Sequence, residues 1–354
     1  MSKIKKAVIP AAGFGPEAAA LAGRYLQGLS WCLIPTWIFM ALRGFMAAVN
    51  RPGPALSITL VAIPVNAILA YGLIYGAFGL PTLDVLGAGV ATTIVNIAMC
   101  IAAIVVAYAQ APFKKYKVLG RFWRPDWALM RQLLTIGLPM SGAFMVEFGL
   151  FAAAALVMGR LGATELAAHQ IALQVASIIF MVPFGISMAA TVRVGHAVGR
   201  RDAPATRRAG FAALALGMIF MATMVVLIVL MRWQIPHWFL GASAAAAQPT
   251  VELASTLLLV GASFFVADGL QTVAAGALRG LNDTRIPLLF AGISFWCIGF
   301  VFAYRLGLHS RLGAVGVWIG LSAGLTIYAM LLVWRFQWLS GRAYLPDVVH
   351  DKPA

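Results

Sequence analysis

Nine stretches of this sequence are each long and apolar enough to cross a bilayer, and short loops rich in Lys and Arg separate them. They cover about residues 27–49, 54–76, 85–109, 129–158, 165–190, 209–231, 251–278, 286–305 and 313–336. A helix needs about 20 apolar residues to span the hydrocarbon core. Inside that core no water satisfies backbone N–H and C=O groups, so only helices and closed barrels can cross. Strands of a barrel need about half this length, so the stretches predict helices. Composition agrees: 62% of the 354 residues are hydrophobic and 10% are charged, against about 25% charged in soluble domains. The expected fold is an all-α integral membrane protein with nine transmembrane helices.

A formal net charge of +15 invites a nucleic-acid reading, but the cations sit between the apolar stretches, as topology in a bilayer requires. One side receives Arg43, Arg51, Lys114, Lys115, Lys117, Arg121, Arg124, Arg131, Arg193, Arg200, Arg201, Arg207, Arg208, Arg279, Arg285, Arg335, Arg342 and Lys352. The other receives Arg160, Arg232, Arg305 and Arg311. The first side is therefore read as cytoplasmic, in a multi-pass membrane protein. That orientation strands the basic N-terminal tail (Lys3, Lys5, Lys6, Arg24) outside. The three cysteines all fall in apolar stretches, which points to packing rather than to a disulfide or metal framework.

A weak internal repeat runs through 42–96 and 278–328. Asn50 in AAVNRPGPAL aligns with Asn282 in RGLNDTRIPL, and Leu86-Gly87-Ala88 with Leu312-Gly313-Ala314. An even number of stretches separates the copies, so they point the same way, as in transporters built from parallel repeats. The second copy follows three further stretches and the first does not. The expectation is a 6+6 design whose first three spans are missing. The domain reading is a tail (1–25), a partial N-lobe of three helices (26–110), a basic linker (111–128), a six-helix C-lobe (129–338) and a second tail (339–354).

Two carboxylates stand out, Glu147 and Asp268, each near the middle of its stretch. A charge at that depth costs at least about 3 kcal/mol on insertion scales, and intramembrane acids face cavities and mark ion or proton paths. Oxygen ligands of this kind suit a hard cation such as Na⁺, and either carboxyl could instead carry a proton; both readings stand. Gln174 and Gln271 are candidates for a ligand cavity or for interhelical hydrogen bonds. Phe144, Phe148 and Phe265 are candidates for an apolar wall that meets cationic aromatic compounds. His169 is either a pH sensor or a packing residue. Asn66 and Asn96 pose the same choice between cavity and interhelical contact.

The strings GLPMSGAFMVEFGL, AAHQIAL and VRVGHAVG within 137–202 resemble the multidrug and toxic compound extrusion (MATE) family. So do LRGFMAAVNRPGPAL (42–56), GLPTLDVLGAGVAT (79–92) and DGLQTVAAGALRGLNDTRIPLL (268–289). The resemblance runs over about 17–340. It implies a two-lobe antiporter that exports cationic or amphipathic compounds against Na⁺ or H⁺, with no cofactor beyond that transported ion. A glutamate on the family's seventh helix and an aspartate on its tenth form a cation site, and Glu147 and Asp268 match them. The family's other acidic centre, on its first helix, has no counterpart here. Expected partners are membrane lipid, small cationic drugs and a source for the missing helices, such as another protomer.

Other readings compete. A truncated fragment that transports nothing shares every feature above. A flippase for lipid-linked sugars, from the same superfamily, would carry Lys or Arg in mid-span for pyrophosphate, and none is there. MSKIKKAVIPAAGFG (1–15) resembles the opening strand and glycine turn of UTP–glucose-1-phosphate uridylyltransferases, a turn type that cradles phosphates. Pro16-Glu17 then departs from that pattern. The segment is read as a fusion or gene-model scar, and the protein as a transporter rather than an enzyme.

Overall fold

The computed structural model describes residues 16–79, 81–116, 118, 120, 126–241 and 246–341. The uridylyltransferase-like segment, most of the basic linker after Tyr116 and the tail from 342 lie outside the described residues. Among the described residues the chain is helical throughout, with no strand. It divides into two compact units, Met1–Pro125 and Asp126–Ala354.

The first unit holds α1 (Pro16–Leu29), α2 (Leu33–Ala48), α3 (Gly53–Tyr75) and α4 (Asp84–Ala109). The first expected span, 27–49, is broken: the stretches Gly23–Leu29 and Leu33–Ala48 meet at 49°. Among the described residues, spans by length and apolarity therefore number eight, or nine if this bent pair is one crossing. α4 packs against the other three helices, and small residues set the closest approaches. A Cβ on Gly89 would meet the backbone of Tyr25 and Gly28, and one on Gly87 would meet the Leu73 carbonyl. Helices in lipid gain little from burying apolar surface against each other, so close backbone packing and interhelical hydrogen bonds hold them. Thr93 Oγ1 donates to the Gly28 carbonyl at 2.6 Å, and Thr36 Oγ1 lies 3.0 Å from Asn96 Oδ1. Asn96 thus serves as interhelical contact. Asn66 Oδ1 is buried without a partner among the described residues.

The second unit holds α5 (Trp127–Leu161), α6 (Ala163–Gly199), α7 (Ala203–Met231), the short α8 (Gln234–Leu240), α9 (Gln248–Gly280), α10 (Arg285–Ala291), α11 (Val301–Leu308) and α12 (Gly313–Gly341). A π-helical stretch, Gly292–Phe300, joins α10 to α11 in one span, Arg285–Leu308. Six helices of this unit meet the criterion for a span. α6 runs nine residues beyond the expected 165–190, which puts Arg193 and His196 inside the helix. Asp126 starts α5 as its N-cap, accepting from the N–H groups of Ala128 and Leu129 at 3.0 and 3.1 Å, and so satisfies donors left free at a helix start. Pro139 and Pro183 lie inside α5 and α6, neither of which is interrupted there.

α9 is the centre of the unit, packed on α6, α7 and α12. Its glycines let neighbours come close: a Cβ on Gly276 would overlap Ser187, and one on Gly280 would overlap Val194. The apolar core around it includes Phe264, Phe265, Phe295, Trp318 and Phe336. His169 belongs to this core. It is fully buried, and its Nδ1 accepts from Trp318 Nε1 at 3.2 Å with the rings edge to face.

Candidate functional site

α5 presents Met140, Ala143, Phe144 and Glu147 along one face, at the i, i+3, i+4, i+7 spacing of helical neighbours. α9 presents Gln271, Thr272, Ala275 and Arg279 to the same recess, with Phe180 and Phe184 of α6 and Tyr328 of α12. The recess offers water-sized molecules about 50 Å³. A buried water needs about 10–15 Å³ by the same measure. The space therefore suits an ion with a few waters and is too small for a drug.

Gln271 ties the two acids together. Its amide nitrogen donates to Glu147 Oε1 at 2.9 Å and to Asp268 Oδ1 at 3.1 Å. Two carboxylate oxygens from separate helices thus converge on one nitrogen. Asp268 and Gln271 are buried, and Glu147 is half-buried. Among the described residues no Lys, Arg or His lies within ion-pair distance of either acid. Both groups are acids, largely shielded from solvent and hydrogen-bonded to a neutral amide. That is a place where a small cation or a proton gains most by arriving.

Of the five residues expected at a ligand cavity, Phe144 and Gln271 line the recess. The other three do not. Phe148 follows Glu147 directly, a 100° step around the helix, and is 70% exposed. Gln174 is exposed, while Ile171, Ala172, Val175 and Ala176 take the buried face of α6. Phe265 is buried against Phe264 and Trp318 in the core.

Sequence reasoning missed four residues here. Arg279, counted among the loop charges, lies inside α9 and reaches into the recess. Its guanidinium donates to Ser187 Oγ at 2.5 Å and to the Ala275 carbonyl at 3.3 Å, and lies 3.8 Å from Met140 Sδ. Among the described residues no carboxylate pairs with it; Asp283, nearby in sequence, pairs with Arg335 at 2.8 Å. Arg279 lies eleven positions beyond Asp268 on α9, about 16 Å along the axis, and Asp283 lines the recess as well. Tyr328 and Thr272 line it between them. Trp296, on the π-helical stretch, donates from its indole N–H to the Val146 carbonyl at 3.2 Å, beside Glu147. A Cβ on Gly149 would meet the same indole at 3.1 Å. Thr272 and Arg279 share a helix with Asp268, four and eleven positions along it, whereas Tyr328 and Trp296 sit on other helices and carried no such signal.

Comparison with known proteins follows the same lines. The MatE family profile matches residues 139–305, which include both acids. The chain is 61% identical over 333 residues to the probable multidrug resistance protein NorM of Rhodopseudomonas palustris, covering 94% of this chain and 70% of that protein. It is 55% identical over 335 residues to the protein of the same name from Bradyrhizobium diazoefficiens, covering 95% and 72%. The crystal structure of the eukaryotic MATE transporter AtDTX14 superposes with a TM-score of 0.82 at 18% identity, over 95% of this chain and 74% of that one. That last likeness is one of fold.

Proposed function

This chain belongs to the MATE family, and from that premise we propose that it exports cationic and amphipathic compounds by antiport against Na⁺ or H⁺. The coupling ion binds at Glu147 and Asp268. The observation that carries the assignment is the shared donor: both carboxylates hydrogen-bond to the Gln271 amide nitrogen. An arriving cation displaces that N–H from the oxygens. Half a turn of the amide then offers its carbonyl oxygen as a further ligand. A proton instead converts one carboxyl into a donor to the other. Either event removes the repulsion between the acids and changes what α5 and α9 hold in common. Coupling requires the ion to bind the two states of the transporter with different affinities, and a site split between two helices supplies a means.

The small recess fits the ion, so the drug is assigned to a different surface of the transporter. In this reading the protein is a membrane transporter rather than an enzyme, and the transported ion takes the place of a cofactor.

The test is efflux of a fluorescent cation from everted vesicles, driven by an imposed Na⁺ or H⁺ gradient. Asp268→Asn and Glu147→Gln each abolish gradient-driven efflux while membrane insertion stays at the wild-type level. Wild-type efflux in Asp268→Asn rejects the role of the pair, whichever ion drives transport.

A further inference from the structure

The second unit carries another recess, at the end of two spans. It lies between the N-terminal turns of α7 and the C-terminal end of α12, lined by Arg207, Arg208, Phe211 and Ser340 among others, with a volume of about 590 Å³. Both helices are long enough to cross the bilayer, so their adjoining ends lie where hydrocarbon gives way to headgroups. Trp338, two residues before Ser340, sits at that level, with the Arg335 guanidinium 5.0 Å over its ring. Tryptophan is enriched at this boundary.

The chemistry of the recess is basic on one side and apolar below. The Arg207 guanidinium lies 5.7 Å over the Phe211 ring, and Phe211 packs edge to face on Phe336. Both arginines are exposed. Among the described residues neither has a carboxylate within ion-pair distance. Asp202, the acid nearest in sequence, is engaged in capping α7 by accepting from Ala205 N–H at 2.9 Å. Two adjacent arginines lining one recess, Arg207 over an aromatic ring, at headgroup depth and on the face that collects most of the basic residues, match the basic pockets between membrane helices that hold anionic headgroups. Guanidinium groups meet phosphate oxygens with paired N–H donors, and the apolar floor suits the start of an acyl chain.

We propose that this recess binds the phosphodiester headgroup of an anionic phospholipid, with Arg207 and Arg208 as its ligands. The site is separate from the ion pair and does not depend on the transport reading, only on the chain's residence in a bilayer.

The full-length protein is reconstituted in nanodiscs of phosphatidylcholine alone or with added phosphatidylglycerol, and its thermal unfolding and lipid retention by native mass spectrometry are compared. Wild type unfolds several degrees higher with phosphatidylglycerol and retains it in the gas phase; binding to the folded state raises the midpoint in this way. Arg207→Gln/Arg208→Gln loses most of the gain and the retained lipid. Lys114→Gln/Lys115→Gln, an equal loss of exposed charge from the face expected to be the same, keeps both. Arg207→Lys/Arg208→Lys, which preserves the charges, keeps the larger part. The proposal fails if inorganic phosphate reproduces the gain in phosphatidylcholine, since the ligand is then a soluble anion. It also fails if the Lys114/Lys115 variant loses as much, since surface charge alone then explains the effect, or if the lysine replacements behave like the glutamines.

Discussion

The junction after α2 and the junction after α9 share one backbone and differ in chemistry. Asn50 and Asn282 both have φ of 59°. In each, the asparagine N–H returns to the carbonyl three residues back, Ala47 or Arg279, at 3.0 Å. The next N–H reaches five residues back, to Met46 at 2.9 Å or Leu278 at 3.0 Å. This is the paired closure of a helix by a left-handed residue. Counting back from each asparagine along its own helix, Asp268 falls at the position of Thr36, Gln271 at that of Phe39, and Arg279 at that of Ala47. Thr36 is satisfied by neutral groups, the Cys32 carbonyl at 2.7 Å and Asn96 at 3.0 Å. Phe39 is buried in the core of the first unit. The repeat therefore supplies a frame, and the polar and charged positions of α9 have neutral counterparts on α2.

Gln271 breaks or sharpens this contrast most strongly. Gln271→Leu leaves two carboxylates facing each other without their common donor. A hydrogen bond to a charged group contributes about 1.5–3 kcal/mol, so gradient-driven efflux falls by about 10-fold or more. Phe39→Leu, at the matching place in the first unit, keeps efflux within about two-fold and lowers stability by about 1–2 kcal/mol, as a modest large-to-small core change does. Equal losses in the two variants, in the same vesicle assay, mean that the contrast between the copies is not functional.

Much of this was legible in the sequence, for a definite reason. Span positions follow from length and apolarity, and mid-span acids are visible because nothing else around them is charged. Asn50 and Asn282 aligned correctly because a left-handed helix end restricts residue choice. The second part of the alignment slipped. Gly87 was matched to Gly313, but the structure puts Gly87 where a Cβ would strike the Leu73 backbone, and Gly316 where one would strike the Leu306 backbone. The residues with positive φ agree with the shift: Asp84 and Gly313 each begin their helix with φ near 50°. What the sequence hid was facing. A helix that is apolar all round has no polar stripe to show which side meets its neighbours. Phe148 and Phe265 were therefore placed beside the acids, whereas Arg279, Tyr328 and Trp296 went unnoticed. The π-helical stretch that brings Trp296 to Val146 shifts the register of its helix with no hydrophobic pattern to report it.

The corrected alignment makes a middling prediction. Gly87→Leu and Gly316→Leu each force a side chain into a neighbouring backbone and lower stability by about 1–3 kcal/mol, the range for overpacking. Gly44 has nothing within 4 Å of a built Cβ, so Gly44→Ala is neutral or stabilising, by up to about 1 kcal/mol within a helix. Thermal unfolding of the purified variants reads all three. A large loss for Gly87 alone, with Gly316→Leu tolerated, undoes the equivalence of the two glycines and restores Gly313 as the partner.

The smallest effect is expected at the junctions themselves. A left-handed conformation costs an ordinary L-residue about 1–2 kcal/mol, and glycine and asparagine adopt it routinely. Asn50→Gly and Asn282→Gly therefore leave stability unchanged within a few tenths of a kcal/mol, whereas Asn50→Val and Asn282→Val each cost about 1–2 kcal/mol. The pair is informative because the asparagines sit in different electrostatic settings. Asn282 is followed by Asp283, which is tied to Arg335 at 2.8 Å, while Asn50 is followed by Arg51. If backbone strain alone governs, the two valine variants lose the same amount and salt changes neither. If the Arg335–Asp283 contact helps to hold the second junction, the Asn282→Val loss grows in high salt, where a partly exposed ion pair is screened, and the Asn50→Val loss does not. Equal, salt-independent losses mean that the shared frame stands without the charges of either copy.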